Sequence, residues 1–177
     1  GFAAWMPNVD AASSASPLVQ QAEGELIPLL NLFVGNIRGS FGETCALLII
    51  LGGIYLVWKK VANWRFIVSS LLAFLILDAV LFYSGVAQTV HPLYALFSGS
   101  FLFAAVFMIT DPVSASQTTA EGKWVYGIII GVLTVLIRVF AGWPEGVTFA
   151  ILFGNMFAPL IDHIIKEQKS KRKAAAT

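Results

Sequence analysis

An all-α integral membrane protein is the fold class this sequence predicts, and composition and patterning carry the prediction. Apolar residues fill 58% of 177 positions while charged residues fill only 12%, and the mean hydropathy is +0.80, well outside ordinary soluble composition. The apolar residues also gather into runs long enough for helices that cross a bilayer. The net charge of +1 conceals a polarised distribution, with Lys and Arg concentrated in a few short segments between or after the apolar runs. That pattern excludes a nucleic-acid-binding surface. The one cysteine, Cys45, excludes an internal disulfide and the Cys sets of iron–sulfur or structural zinc sites, and it reads as a small buried apolar residue. No Gly-rich nucleotide loop, metal-ligand cluster or nucleophile–base pair at recognisable spacing supports a soluble enzyme.

Residues 1–40 are rich in Ser, Ala, Pro, Gly and Asn and carry Asp10, Glu23, Glu25 and Arg38. They predict an extramembrane segment with at most short helical turns around 18–34. With no initial methionine and no charged n-region before an apolar core, the chain reads as a fragment, the C-terminal part of a longer protein. Residues 41–165 predict a five-helix transmembrane domain, with apolar runs at Glu43 to Trp58, Trp64 to Tyr83, Tyr94 to Ile109, Trp124 to Phe140 and Val147 to Ile165. The third run is short and enters Thr110, Asp111 and Pro112 directly, which predicts a broken helix near Asp111 that ends inside the protein. An odd number of spans also suits one half of an inverted-repeat, transporter-like bundle. Residues 166–177 form a basic tail.

Five crossings place Lys59, Lys60, Arg65, Lys123 and the tail cations Lys166, Lys169, Lys171, Arg172 and Lys173 on one side. The positive-inside rule makes that side cytoplasmic and residues 1–40 periplasmic. Trp58, Trp64, Tyr83, Tyr94, Trp124 and Trp143 fall at predicted span ends, where amphipathic rings favour the interface.

Polar groups in or beside the spans call for a partner or a role, since each charge costs about 2.5–3.5 kcal/mol to insert. Asp78 and Arg138 lie near the outer ends of the second and fourth runs and suit either a structural ion pair or an ion or proton path. Glu43 opens the first run, where the helix dipole and free N–H groups favour a capping carboxylate. Asp111 precedes a segment dense in oxygen donors, Ser114, Ser116, Gln117, Thr118 and Thr119. It reads equally as a turn initiator before proline and as a ligand for a hard cation such as sodium. Asp162 and His163 close the fifth run behind Asn155 and Pro159, either as solvated interfacial groups or as parts of a cation or proton route.

The stretches FMITDPVSASQTTAEGK at 107–123, WVYGIIIGVLTVLIRVF at 124–140 and WPEGVTFAILFGNMFAPLIDH at 143–163, with GSFGET at 39–44, resemble the family that joins the NqrB and RnfD proteins. The run SASQT…GKW is more similar to the Nqr branch. In that family a loop motif of Asp followed by Ser or Thr, Gly, Ala and Thr carries FMN, esterified through its phosphate to the last hydroxyl by a dedicated flavin transferase. Residues 10–18 occupy that place, with Asp10 and Ser13 in the motif and Ser16 at the attachment position. Ser14 stands where Gly is usual and Ser16 where Thr is usual, so the hydroxyl is kept while its type changes. The resemblance implies an inner-membrane electron-transfer subunit of a multisubunit complex that moves sodium as electrons pass from NADH to quinone. It implies cation uptake at Asp111 and Asp162, and less directly at Glu43. A riboflavin and a quinone belong to the same subunit in that family, with contacts mainly outside this stretch. Two alternatives remain: the RnfD protein of a ferredoxin:NAD oxidoreductase complex, fed by a different electron donor, and a channel or transporter that kept the scaffold and lost the flavin.

Overall fold

The computed structural model describes residues 28–35, 44–86, 89–115, 119–141 and 146–174, and among these every regular element is helical. Helix α1 (Leu29–Val34) ends on Gly35 at φ 91°, a left-handed conformation open to glycine without a Cβ clash. Helix α2 (Ala46–Trp58) has 13 residues. It rises about 20 Å, short of a ~30 Å hydrocarbon core, and starts three residues after the Glu43 end of the predicted run. Helix α3 (Trp64–Tyr83) coincides with the predicted second span and is capped by Asn63, whose side chain accepts from the Arg65 N–H.

The predicted third span is not a single helix. It consists of α4 (Pro92–Phe97), α5 (Phe101–Phe103) and a π-helix over Ala104–Met108. Ser98, Gly99 and Ser100 interrupt it, residue types that give up little by leaving the helical backbone. Its lower end widens to π-helical turns, the Ile109 N–H bonding the Ala104 carbonyl five residues back at 2.8 Å. Helix α6 (Ala120–Phe140) begins four residues before the predicted fourth span, capped by Thr119, whose hydroxyl accepts from the Gly122 N–H at 3.0 Å. Helix α7 (Val147–Ala174) continues without a stop through most of the predicted basic tail.

Close approaches fix how these helices run. Phe66 meets Tyr126 and Trp64 meets Trp124 edge to face, while a Cβ on Gly131 would fall 2.5 Å from the Ser70 carbonyl oxygen, so α3 and α6 run parallel. Gly146 abuts Ile137, Gly154 abuts Ile130, and Lys169 pairs with Glu121 at 2.5 Å, so α7 runs antiparallel to α6. Gly53 abuts Val106 and Gly52 abuts Phe107, seating α2 against the π-helix. This arrangement gathers Lys60, Arg65, Lys123 and Lys169 at one end of the bundle, hereafter the basic end.

The core consists of Phe66, Phe74, Phe101, Ile109, Tyr126 and Ile130 with smaller neighbours. Outside it the bundle is apolar as well: Leu48, Leu51, Ile54, Leu72, Ile76, Val80, Leu152, Met156 and Leu160 are all exposed. Large apolar side chains facing outward along helices α3 (20 residues), α6 (21) and α7, whose stretch Val147–Arg172 (26 residues) holds an apolar window, suit lipid as solvent rather than water.

Candidate functional site at the Asp111 turn

The π-helix delivers the chain to a turn that is held almost entirely by its own side chains. Thr110 returns its hydroxyl to the Val106 carbonyl at 2.7 Å, satisfying a buried polar group within the segment. The Asp111 carboxylate then accepts from the Val113 N–H at 3.2 Å, the Ser114 N–H at 3.2 Å and the Ser114 hydroxyl at 2.5 Å. These donors, the Ser114 hydroxyl first, hold the Asp111 carboxyl below its ordinary range. Both readings of Asp111 from sequence meet in this geometry: it initiates the turn, and it keeps a negative charge at the end of a broken span.

Deeper in the bundle, the Tyr126 ring is fully buried and its hydroxyl donates to Asn155 Oδ1 on α7. Four residues on, Pro159 has no N–H, so α7 leaves the Asn155 carbonyl without its helical donor. Asp162 lies half-buried two turns further along α7, toward the basic end. Asp111 and Asp162 thus share one end of the bundle, but the described residues hold no group of three His, Cys, Asp or Glu side chains placed to bind a metal. His163 is exposed beside Asp162.

Of the other candidates, Asp10, Ser13, Ser16 and Glu43 lie outside the described residues. Cys45 is half-buried, its thiol 3.9 Å from the Phe33 carbonyl. Asp78 and Arg138 both lie toward the far end of the bundle. The Arg138 guanidinium lies over the stacked rings of Phe74 and Phe101, its Nη1 donates to the Ala95 carbonyl at 2.9 Å, and its charge acts on buried Asp78. This cluster ties α4 and α5 to α3 and α6. Sequence reading missed the Tyr126–Asn155 bond; the signal for it was a tyrosine and an asparagine placed well inside apolar spans.

Three long apolar helices and an apolar exterior define a multi-pass, all-α membrane protein. The chain belongs to the NQR2, RnfD, RnfE family, matched over residues 1–171. It is 41% identical over 189 aligned residues to the B subunit of the Na(+)-translocating NADH-quinone reductase of Ectopseudomonas mendocina (strain ymp), covering 99% of this chain and 46% of that protein. The protein of the same name from Yersinia pestis is 41% identical over 172 residues, 93% of this chain and 41% of the relative. That of Stutzerimonas stutzeri (strain A1501) is 43% identical over 156 residues, 84% and 38% respectively. The chain therefore spans less than half the length of these curated relatives.

Proposed function

We propose that this chain forms part of the NqrB-type membrane electron-transfer subunit of a sodium-translocating NADH:quinone oxidoreductase in a bacterial inner membrane. The observation that carries the proposal is its match, over 99% of its length, to a relative so named. Residues 1–40 lie on the periplasmic side in this reading and the basic end faces the cytoplasm. The structural support is the clustering of Lys60, Arg65, Lys123 and Lys169 at that end, which meets the positive-inside rule.

FMN is carried on the Ser16 hydroxyl, placed there by a flavin transferase, with Asp10 and Ser13 completing the motif. Bound flavin supplies the electron-transfer chemistry, and the chain's share is position, environment and coupling to a cation path. Quinone and riboflavin contacts belong mainly to the part of the protein outside this chain.

Asp111 and Asp162 contribute to sodium uptake at the basic end, with Glu43 as a further acidic group on the route. The Asp111 turn suits the task because it offers a carboxylate and the Ser114 hydroxyl oxygen within one turn, on backbone already released from helical bonding. Coupling further requires an element with two arrangements, and the broken segment ending at Asp111 supplies one. Sodium-dependent NADH:quinone turnover of the intact complex tests this. Asp111→Ala is expected to raise the sodium concentration for half-maximal turnover about tenfold. Unchanged sodium affinity with an unchanged pumping ratio removes Asp111 from the path.

A further inference from the structure

Beside the Asp111 turn, at the connection between α2 and α3, lies a cavity of about 320 Å³ whose lining includes Lys60, Asn63, Arg65 and Lys123. Three cations converge on it from separate parts of the chain: that connection, the first turn of α3 and the first turn of α6. Lys60 reaches it from a left-handed backbone conformation, φ 59°, one that residues with a Cβ seldom adopt. Asn63 uses its side-chain oxygen to cap α3, leaving its amide N–H groups as donors. Among the described residues no carboxylate lines the cavity, and none of the three cations forms an ion pair. Neighbouring Asp111 turns its carboxylate onto Val113 and Ser114 instead. Among the described residues the lining itself therefore carries three positive charges and no negative one.

Its surroundings decide which anion suits it. The cavity opens where apolar helices end, and its wall includes Trp64 and Val61, both exposed, with Trp58 also exposed at the adjoining end of α2. Trp64 packs edge to face on Trp124, and the Arg65 guanidinium lies 5.5 Å from the Trp64 ring centroid. Amphipathic rings of this kind sit at headgroup depth. We propose that the cavity binds the phosphodiester headgroup of an anionic phospholipid, with Lys60, Arg65 and Lys123 around the phosphate, Asn63 donating to it and the acyl chains leaving along Trp58 and Val61. Basic pockets between membrane helices take anionic headgroups on these same physical grounds. The site adjoins the turn that follows the π-helix, since Thr110 and Pro112 also line it, so an occupied cavity holds that turn from outside. The inference rests on the membrane fold and stands independently of the flavin and sodium readings.

Native mass spectrometry of the intact protein, extracted in detergent and titrated with equal amounts of dioleoylphosphatidylglycerol and dioleoylphosphatidylcholine, tests the proposal. The wild type is expected to retain phosphatidylglycerol in preference. Lys60→Gln combined with Lys123→Gln weakens that retention about thirtyfold, roughly fivefold for each cation removed. Lys60→Arg keeps it, as does Lys171→Gln on the far turn of α7. Should the double variant extract poorly, Lys60→Gln alone, at an exposed position, carries the same test at about fivefold. Equal retention of the two lipids, or a neutralised variant that binds as the wild type does, overturns the proposal. Displacement of the lipid by millimolar inorganic phosphate also overturns it, assigning the cavity to free phosphate.

Discussion

The paired helices α3 and α6 and the segment from Pro92 to Asp111 cross the same bundle side by side, yet they are built on opposite principles. Along α3 and α6 the contact residues are small, Ser69, Ser70 and Ala73 against Gly127 and Gly131, so the two backbones touch and both helices stay continuous. That spacing of small residues is how helices gain packing in lipid, where apolar surface alone gives no drive to associate. The Pro92–Asp111 segment instead holds two serines and a threonine whose hydroxyl bonds the Val106 carbonyl, and it crosses as two short helices, a break and a π-helix. The comparison teaches that close small-residue packing keeps one pair of helices continuous as a frame, while a run broken at Ser98–Gly99–Ser100 is held by its burial in the core instead.

The frame breaks most easily at its seam. Gly131→Leu drives a Cβ to within 2.5 Å of the Ser70 carbonyl and 2.9 Å of the Ala73 Cβ, backbone and side chain that have nowhere to move. It is expected to cost upwards of about 3 kcal/mol, read as loss of folded protein on detergent extraction or a collapsed melting temperature. A wild-type melting curve would show that the seam is not what holds the frame.

The link between frame and segment is Arg138. Arg138→Met keeps apolar contact with Phe74 and Phe101 but takes the donor from the Ala95 carbonyl and leaves Asp78, 5% exposed, without that opposing charge. About 3 kcal/mol of destabilisation is expected, and adding Asp78→Asn should recover part of it in a double-mutant cycle. Additive losses would separate the two residues.

The smallest effect belongs to the turn itself. A hydrogen-bonded Asp111 titrates below the ordinary carboxylate range, so its contribution to stability is fully present above that range and is lost as pH falls through the depressed folded value. Ser114→Ala removes the largest cause of the depression and moves the titration back up toward the ordinary carboxylate range. Carboxyl NMR of Asp111 is expected to show that upward move, with a slightly shallower loss of melting temperature on acidification. An unmoved titration would mean the backbone donors alone set it.

Much of the frame was legible before any coordinates. Trp64 and Tyr83 bound α3 as hydropathy and interfacial aromatics predicted, and Phe140 and Val147 mark the turn between α6 and α7 as predicted. The basic run from Lys166 continues as helix because its Lys, Glu and Gln residues are good helix formers and nothing stops α7. The interrupted segment was only half legible. Asp111 and Pro112 announced its lower end, but Ser98–Gly99–Ser100 sits within an otherwise apolar run, where a window average hides it, and a π-helix has no composition signal. The cavity beside the turn escaped notice because Lys60, Arg65 and Lys123 converge only through the parallel packing of α3 and α6. Each cation alone reads as a topology anchor.

The central functional claim is that this membrane frame serves a flavin-bearing protein, and flavin fluorescence in a denaturing gel tests it most directly. A phosphoester to Ser16 survives SDS, so the protein expressed with its flavin transferase is expected to give a fluorescent band that Ser16→Ala abolishes. A dark wild-type band, or a fluorescent Ser16→Ala band, would contradict that assignment.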